Sequence, residues 1–149
     1  MRTVSPETMA IVKATAPALE KHGLAITTAM YRRLFENPEI EAMFDRAAQT
    51  SGEQPRRLAG AILAYAKNID KLQNLGSAVE RMVLRHVQTG VKPEHYPHVA
   101  AALLPAIREV LGEEIATDTV LAAWGEAYWM LAEILIAAEA QAYEGAAAA

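Results

Sequence analysis

The sequence has no cysteine. That excludes disulfides, thiolate zinc sites, iron–sulfur clusters and covalent cofactor attachment through a C-x-x-C-H motif, so any cofactor is held without cysteine sulfur. Long apolar runs are also missing. The longest, Val99 to Ile107, contains Pro105 and falls far short of the roughly 20 residues a membrane helix needs, so no membrane span is expected. Charge of one sign is not in excess: 14 Lys and Arg against 18 Asp and Glu leave a formal charge of −4. Such a balance lacks the basic footprint of a nonspecific nucleic-acid binder, and no nucleic-acid partner is expected. Met1-Arg2-Thr3-Val4-Ser5-Pro6 leads into an amphipathic segment without a signal-like apolar core, which points to a cytoplasmic protein. The eight glycines include no G-x-G-x-x-G turn, so no nicotinamide-binding reductase domain is expected.

What is present is a chain of 149 residues, 52% hydrophobic, about one domain in length and able to bury a full core. Apolar residues recur every three to four positions and no stretch alternates, which predicts an all-α fold. Ser5 caps a first helix whose stripe is Met9, Val12, Ala16 and Leu19; Pro17 disturbs it, and Gly23 separates it from a second helix carrying Ile26, Met30 and Leu34. A short piece from Pro38 to Met43 leads to Phe44, and Asp45 to Glu53 reads as the most mobile connection. The next helix opens near Gln54-Pro55 with Leu58, Ile62, Tyr65 and Ile69 inward, and Asn68 to Gly76 forms a loop. A helix from Ser77 to Thr89 closes on Gly90, one from about Glu94 to Leu111 ends at Gly112, and a last helix capped by Thr117 or Asp118 reaches at least Tyr143. Residues 1–144 form one domain, and 145–149 read as a flexible Ala-rich tail.

Several polar side chains fall on inward faces. His86 continues the apolar stripe Val79, Met82 and Val83, so its imidazole needs a backbone carbonyl, another side chain or a metal as partner. Gln54 lies one turn before Leu58, and Glu139 one turn after Leu135 on the stripe Trp124, Tyr128, Leu131. Tyr31 and Tyr96 are further inward candidates. Glu94, His95 and His98 could hold zinc on one helical face, but Pro97 and the missing cysteines favour surface histidines, and no zinc site is assigned.

The residues Thr27 to Phe35, Met43-Phe44-Asp45, Glu53-Gln54-Pro55, Arg85 to Val91, His95-Tyr96-Pro97, Glu109 to Gly112, Ala123 to Tyr128 and Glu139 to Tyr143, in that order, resemble the bacterial single-domain haemoglobins and the globin domain of flavohaemoglobins. The resemblance covers essentially the whole chain. It implies a globin fold, a crossed sandwich of about six to eight helices around non-covalent haem b. It makes His86 the proximal iron ligand through Nε2, with Phe44 on the haem face and Leu58 as the distal wall. Arg85 would approach a haem propionate, where the family often has lysine. Tyr31 and Gln54 would form the distal side, Tyr31 donating a hydrogen bond to dioxygen. Tyr96 and Glu139 would lie behind His86 and give its imidazole more imidazolate character, which favours activation of dioxygen over storage.

Two activities follow from that resemblance. One is an oxygen-binding protein for storage or transport; the other is a nitric oxide dioxygenase served by a separate NAD(P)H-dependent reductase. Dioxygen, nitric oxide and carbon monoxide are the expected haem ligands, and peroxidase-like side reactivity is compatible with either activity. A third class is a sensor or interaction module without turnover. Trp129 follows Tyr128 where related chains often carry a small residue, so its ring would face a partner subunit in a homodimer, the solvent or the proximal side.

Overall fold

The computed structural model describes residues 4–44 and 52–148, and all regular structure among them is helical. In chain order the helices are α1 Pro6–Leu34, α2 Pro38–Glu41, α3 Glu53–Lys67, α4 Gly76–Thr89, α5 Tyr96–Leu111 and α6 Asp118–Ala148, with 3-10 turns at Leu72–Leu75 and Pro93–His95. The expected mobile connection lies at residues 45–51, outside the described residues, apart from its end at Gly52 and Glu53.

The start of α1 is as its sequence predicts. Ser5 Oγ accepts the Thr8 backbone N–H at 3.1 Å, and Pro6 occupies a first-turn position where a missing N–H costs nothing. The expected break at Gly23 does not occur: α1 runs unbroken for 29 residues through Pro17 and Gly23. Gly23 serves a crossing instead. A Cβ there would stand 3.3 Å from the Cβ of Ala59, so the missing side chain lets α3 approach α1 closely. Beside it, the buried Thr27 hydroxyl donates to the Pro55 carbonyl at 2.8 Å. Pro17 deletes one backbone donor, and the long buried stripe of α1 outweighs that loss. Pro105 likewise lies inside an uninterrupted α5.

The core centres on Val12, Ile26, Met30, Ile69 and Ile107, each at most 2% exposed. Its polar members are paired: Trp124 Nε1 donates to Thr15 Oγ1 at 2.8 Å, and Tyr65 donates to the Ala127 carbonyl at 2.7 Å. The α6 segment Asp118–Gly145 is long and apolar enough to cross a membrane by composition, which corrects the expectation drawn from unbroken runs alone. Glu126, Glu133 and Glu139 interrupt its runs without much lowering its average hydropathy. Here α6 packs on α1, α4 and α5 as a core helix, burying Trp124, Ala127, Met130 and Leu135.

α3 packs chiefly on α1, and α4 chiefly on α6; the two make no extensive contact with each other. α4 is amphipathic, yet none of its residues is buried. Val79, Met82, Val83 and His86 are all only half-buried, as are Leu58, Ile62 and Leu63 of α3. Two apolar helix faces left half-covered by protein are an unusual surplus, because apolar area removed from water stabilises by about 25 cal/mol per Å².

Candidate functional site

His86 is placed by the last turn of α4. Gly90 ends that helix in the left-handed region, φ 87°, and its N–H donates to the His86 carbonyl at 2.9 Å. The Nδ1 of His86 lies 2.7 Å from Glu139 Oε2 and 3.1 Å from the Tyr96 hydroxyl, while that hydroxyl donates to Glu139 Oε1 at 2.7 Å. Tyr96 has one proton and gives it to Oε1, so the short contact to Oε2 assigns the Nδ1 proton to His86 as donor. Nε2 then keeps its lone pair, and it makes no hydrogen bond among the described residues.

This trio draws on three helices. Glu139 is 3% and Tyr96 5% exposed, so both depend on each other for polar partners. Burial, and then the hydrogen bond and charge of Glu139, hold the Tyr96 hydroxyl protonated far above the ordinary tyrosine range. Tyr128, which sequence reasoning placed on the stripe without a role, donates from its hydroxyl to the Tyr96 carbonyl at 2.7 Å and fixes the first turn of α5. Trp129 packs edge-on against Tyr128, ring centroids 5.3 Å apart, within the apolar cluster that also holds Met82, Val83 and Tyr96. Its ring therefore lies on the His86 side of the molecule.

Tyr31, Phe35 and Phe44 form a second aromatic group with centroids 5.2–5.5 Å apart. Tyr31 is only 7% exposed, and its hydroxyl has no hydrogen-bond partner among the described residues. Burial, offset only partly by the charge of Arg57, raises its pKa to about 12, so it is a proton donor at neutral pH. Gln54 is the second residue of α3 and is half-buried; Leu58, one turn on, packs at the edge of the core. Arg85 is exposed beside His86. His95 Nδ1 accepts the Lys92 N–H at 2.9 Å, which gives that histidine a capping role.

The donor set suits one kind of group. An imidazole nitrogen with a free lone pair, two half-covered apolar helix faces, an aromatic cluster and a tyrosine hydroxyl with no hydrogen-bond partner among the described residues fit a flat apolar ring system carrying a metal that imidazole binds. Those residues fit haem.

A family profile for globins matches residues 27–135. The chain belongs to the globin family. It is 55% identical over 141 residues to a flavohemoprotein of Xylella fastidiosa, covering 95% of this chain and 35% of that protein, so it spans about a third of the length of its curated relatives. Among solved structures it resembles an engineered carbene transferase from Rhodothermus marinus, itself described as a candidate nitric oxide dioxygenase, with TM-score 0.90 and 46% identity over 97% of this chain and 99% of that one. It also resembles the flavohemoglobin of Malassezia yamatoensis with bound FAD and haem, with TM-score 0.86 and 33% identity over 94% of this chain and 37% of that one. As a globin, this chain takes haem as its cofactor.

Proposed function

We propose that this globin binds dioxygen reversibly and uses it to oxidise nitric oxide to nitrate, with electrons from a separate reductase. The reaction balances as nitric oxide plus dioxygen plus one electron giving nitrate, so a continuous electron supply is part of the proposal. Haem supplies an iron at which dioxygen and nitric oxide bind. His86 would hold that iron through Nε2, Phe44 and Leu58 would line the ring, and the exposed Arg85 would supply a cation for a propionate.

The observation that carries the reading is the hydrogen-bonded set His86, Tyr96 and Glu139. A carboxylate accepting the Nδ1 proton makes the imidazole a stronger electron donor at Nε2, a property that chemistry on dioxygen uses and simple storage does not require. Tyr31 supplies a neutral hydroxyl donor on the distal side, with Gln54 at the head of the same wall; Tyr96 and Glu139 act through His86. Likeness to flavohemoproteins and to a candidate nitric oxide dioxygenase supports the choice of substrate.

The test is multiple-turnover nitric oxide consumption with nitrate as product, using NAD(P)H and a supplied ferredoxin-type reductase. Sustained turnover is expected. Reaction that stops after one equivalent would leave an oxygen carrier instead.

A further inference from the structure

We propose that Tyr143 is a positioning residue for the haem-ligating histidine, so that the end of α6 grips the His86 segment at two points. The first grip is Glu139 on the imidazole. The second lies one turn further along the same helix face, where the Tyr143 hydroxyl donates to the Val91 carbonyl at 2.7 Å. Val91 is no ordinary loop residue, because its own N–H donates to the carbonyl of His86 at 2.9 Å across the Gly90 turn. Its side chain packs against the buried cluster of Tyr96, Ala132 and Leu135, as do Met82 and Val83 of α4. Lys92 places its ammonium 5.3 Å from the centroid of the Tyr143 ring, which keeps the ring over the corner.

The consequence is geometric. Glu139 fixes one atom of the imidazole, while the rest of α4 is held against α6 by non-directional apolar packing. Tyr143 ties the backbone immediately after His86 to the same helix that holds the carboxylate, so ring and backbone share one frame. Loss of the Tyr143 hydroxyl lets the α4 corner drift from α6, lengthens the Nδ1 to Glu139 contact and weakens electron donation from Nε2.

The experiment uses the haem-loaded protein carrying Tyr143→Phe, which keeps the ring over Lys92 and removes only the donor. Its control is Tyr65→Phe, which deletes a tyrosine-to-carbonyl bond of the same 2.7 Å length between α3 and α6, away from His86. In the ferrous protein, Tyr143→Phe is expected to lower and broaden the iron–histidine stretch and to raise the ferric/ferrous potential, while Tyr65→Phe lowers the melting temperature and leaves both at parent values. An unchanged stretch and potential in Tyr143→Phe, or equal shifts in both variants, overturns the proposal. It rests on His86 as the iron ligand, and that assignment fails separately: the parent protein would then show no iron–histidine stretch, whatever residue stands at position 143.

Discussion

The surroundings of His86 and of Tyr31 satisfy their polar groups in opposite ways. Behind His86, every side-chain polar atom of the trio except Nε2 finds a protein partner: Tyr96 and His86 both donate to Glu139, and Tyr128 reinforces the backbone beneath them. On the other side, Tyr31 is as deeply buried as Tyr96, yet its hydroxyl meets no described protein acceptor or donor. Arg33 Nε is the enclosed side-chain polar atom left unpartnered among the described residues, so the Tyr31 oxygen is not sealed off, and solvent or a ligand can supply its bond. Under the proposed function, the proximal chemistry is completed when the chain folds, and the distal chemistry when a ligand arrives. Substitutions on the two sides should accordingly separate into those that alter the protein and those that alter only what it binds.

The largest expected effect is that of His86→Ala. Removing the imidazole whose Nδ1 is held by Glu139 and whose Nε2 keeps its lone pair should abolish the iron–histidine stretch of the ferrous protein and the spectrum of imidazole-ligated haem. Coordination that persists unchanged would transfer the ligand role to another residue and dissolve the comparison. Glu139→Gln comes next. It removes the charge and leaves Tyr96 and His86 competing for a single amide oxygen inside a buried site, so stability should fall by about 1–3 kcal/mol in chemical denaturation. The iron–histidine stretch should fall and the ferric/ferrous potential rise, because a less imidazolate-like ligand favours ferric iron less.

Much of the proximal side was legible from spacing, and the reasons are local. Counting in fours along single helices carries the apolar stripe of α4 onto His86 and that of α6 onto Glu139, which is how both were found inside the fold. What spacing could not supply is their meeting, since three helices must pack before Nδ1 lies 2.7 Å from Oε2. Tyr128 and Tyr143 escaped for a related reason: they bond to backbone carbonyls, which every residue has, so nothing in the sequence marks their targets. Gly23 was misread because a glycine that breaks a helix and one that admits a crossing helix look alike until Ala59, 36 positions later, is seen against it. The apolar character of α6 was hidden by its glutamates, which cut runs without much lowering the average.

Tyr31→Phe sharpens the contrast from the distal side. With no protein partner to lose, stability in the ligand-free protein should stay within about 0.5 kcal/mol of the parent, as for substitutions that touch no native bond. Dioxygen should leave roughly two- to tenfold faster in a stopped-flow measurement, the equivalent of one hydrogen bond of about 0.5–1.5 kcal/mol. A large loss of stability with unchanged dissociation would mean that the hydroxyl serves the fold, and the two sides would no longer differ.

The smallest effect concerns alkaline pH, and its sign follows from the neutral state of Tyr31. Its folded pKa is raised to about 12 by burial, against 10.0 for the free side chain. Between those values the unfolded chain has released the phenolic proton while the folded one still holds it, so the stability from the neutral hydroxyl is complete below pH 10 and is lost as pH rises toward 12. Tyr96, Tyr65 and Tyr128 are shifted in the same direction by burial and should make the whole protein lose stability steeply in that range. Tyr31→Phe removes one contribution and should make the decline slightly shallower in denaturant midpoints compared at pH 9 and pH 11. An identical slope in parent and variant would mean that burial does not hold the Tyr31 hydroxyl neutral, and the proposed distal side would then lack that desolvated donor.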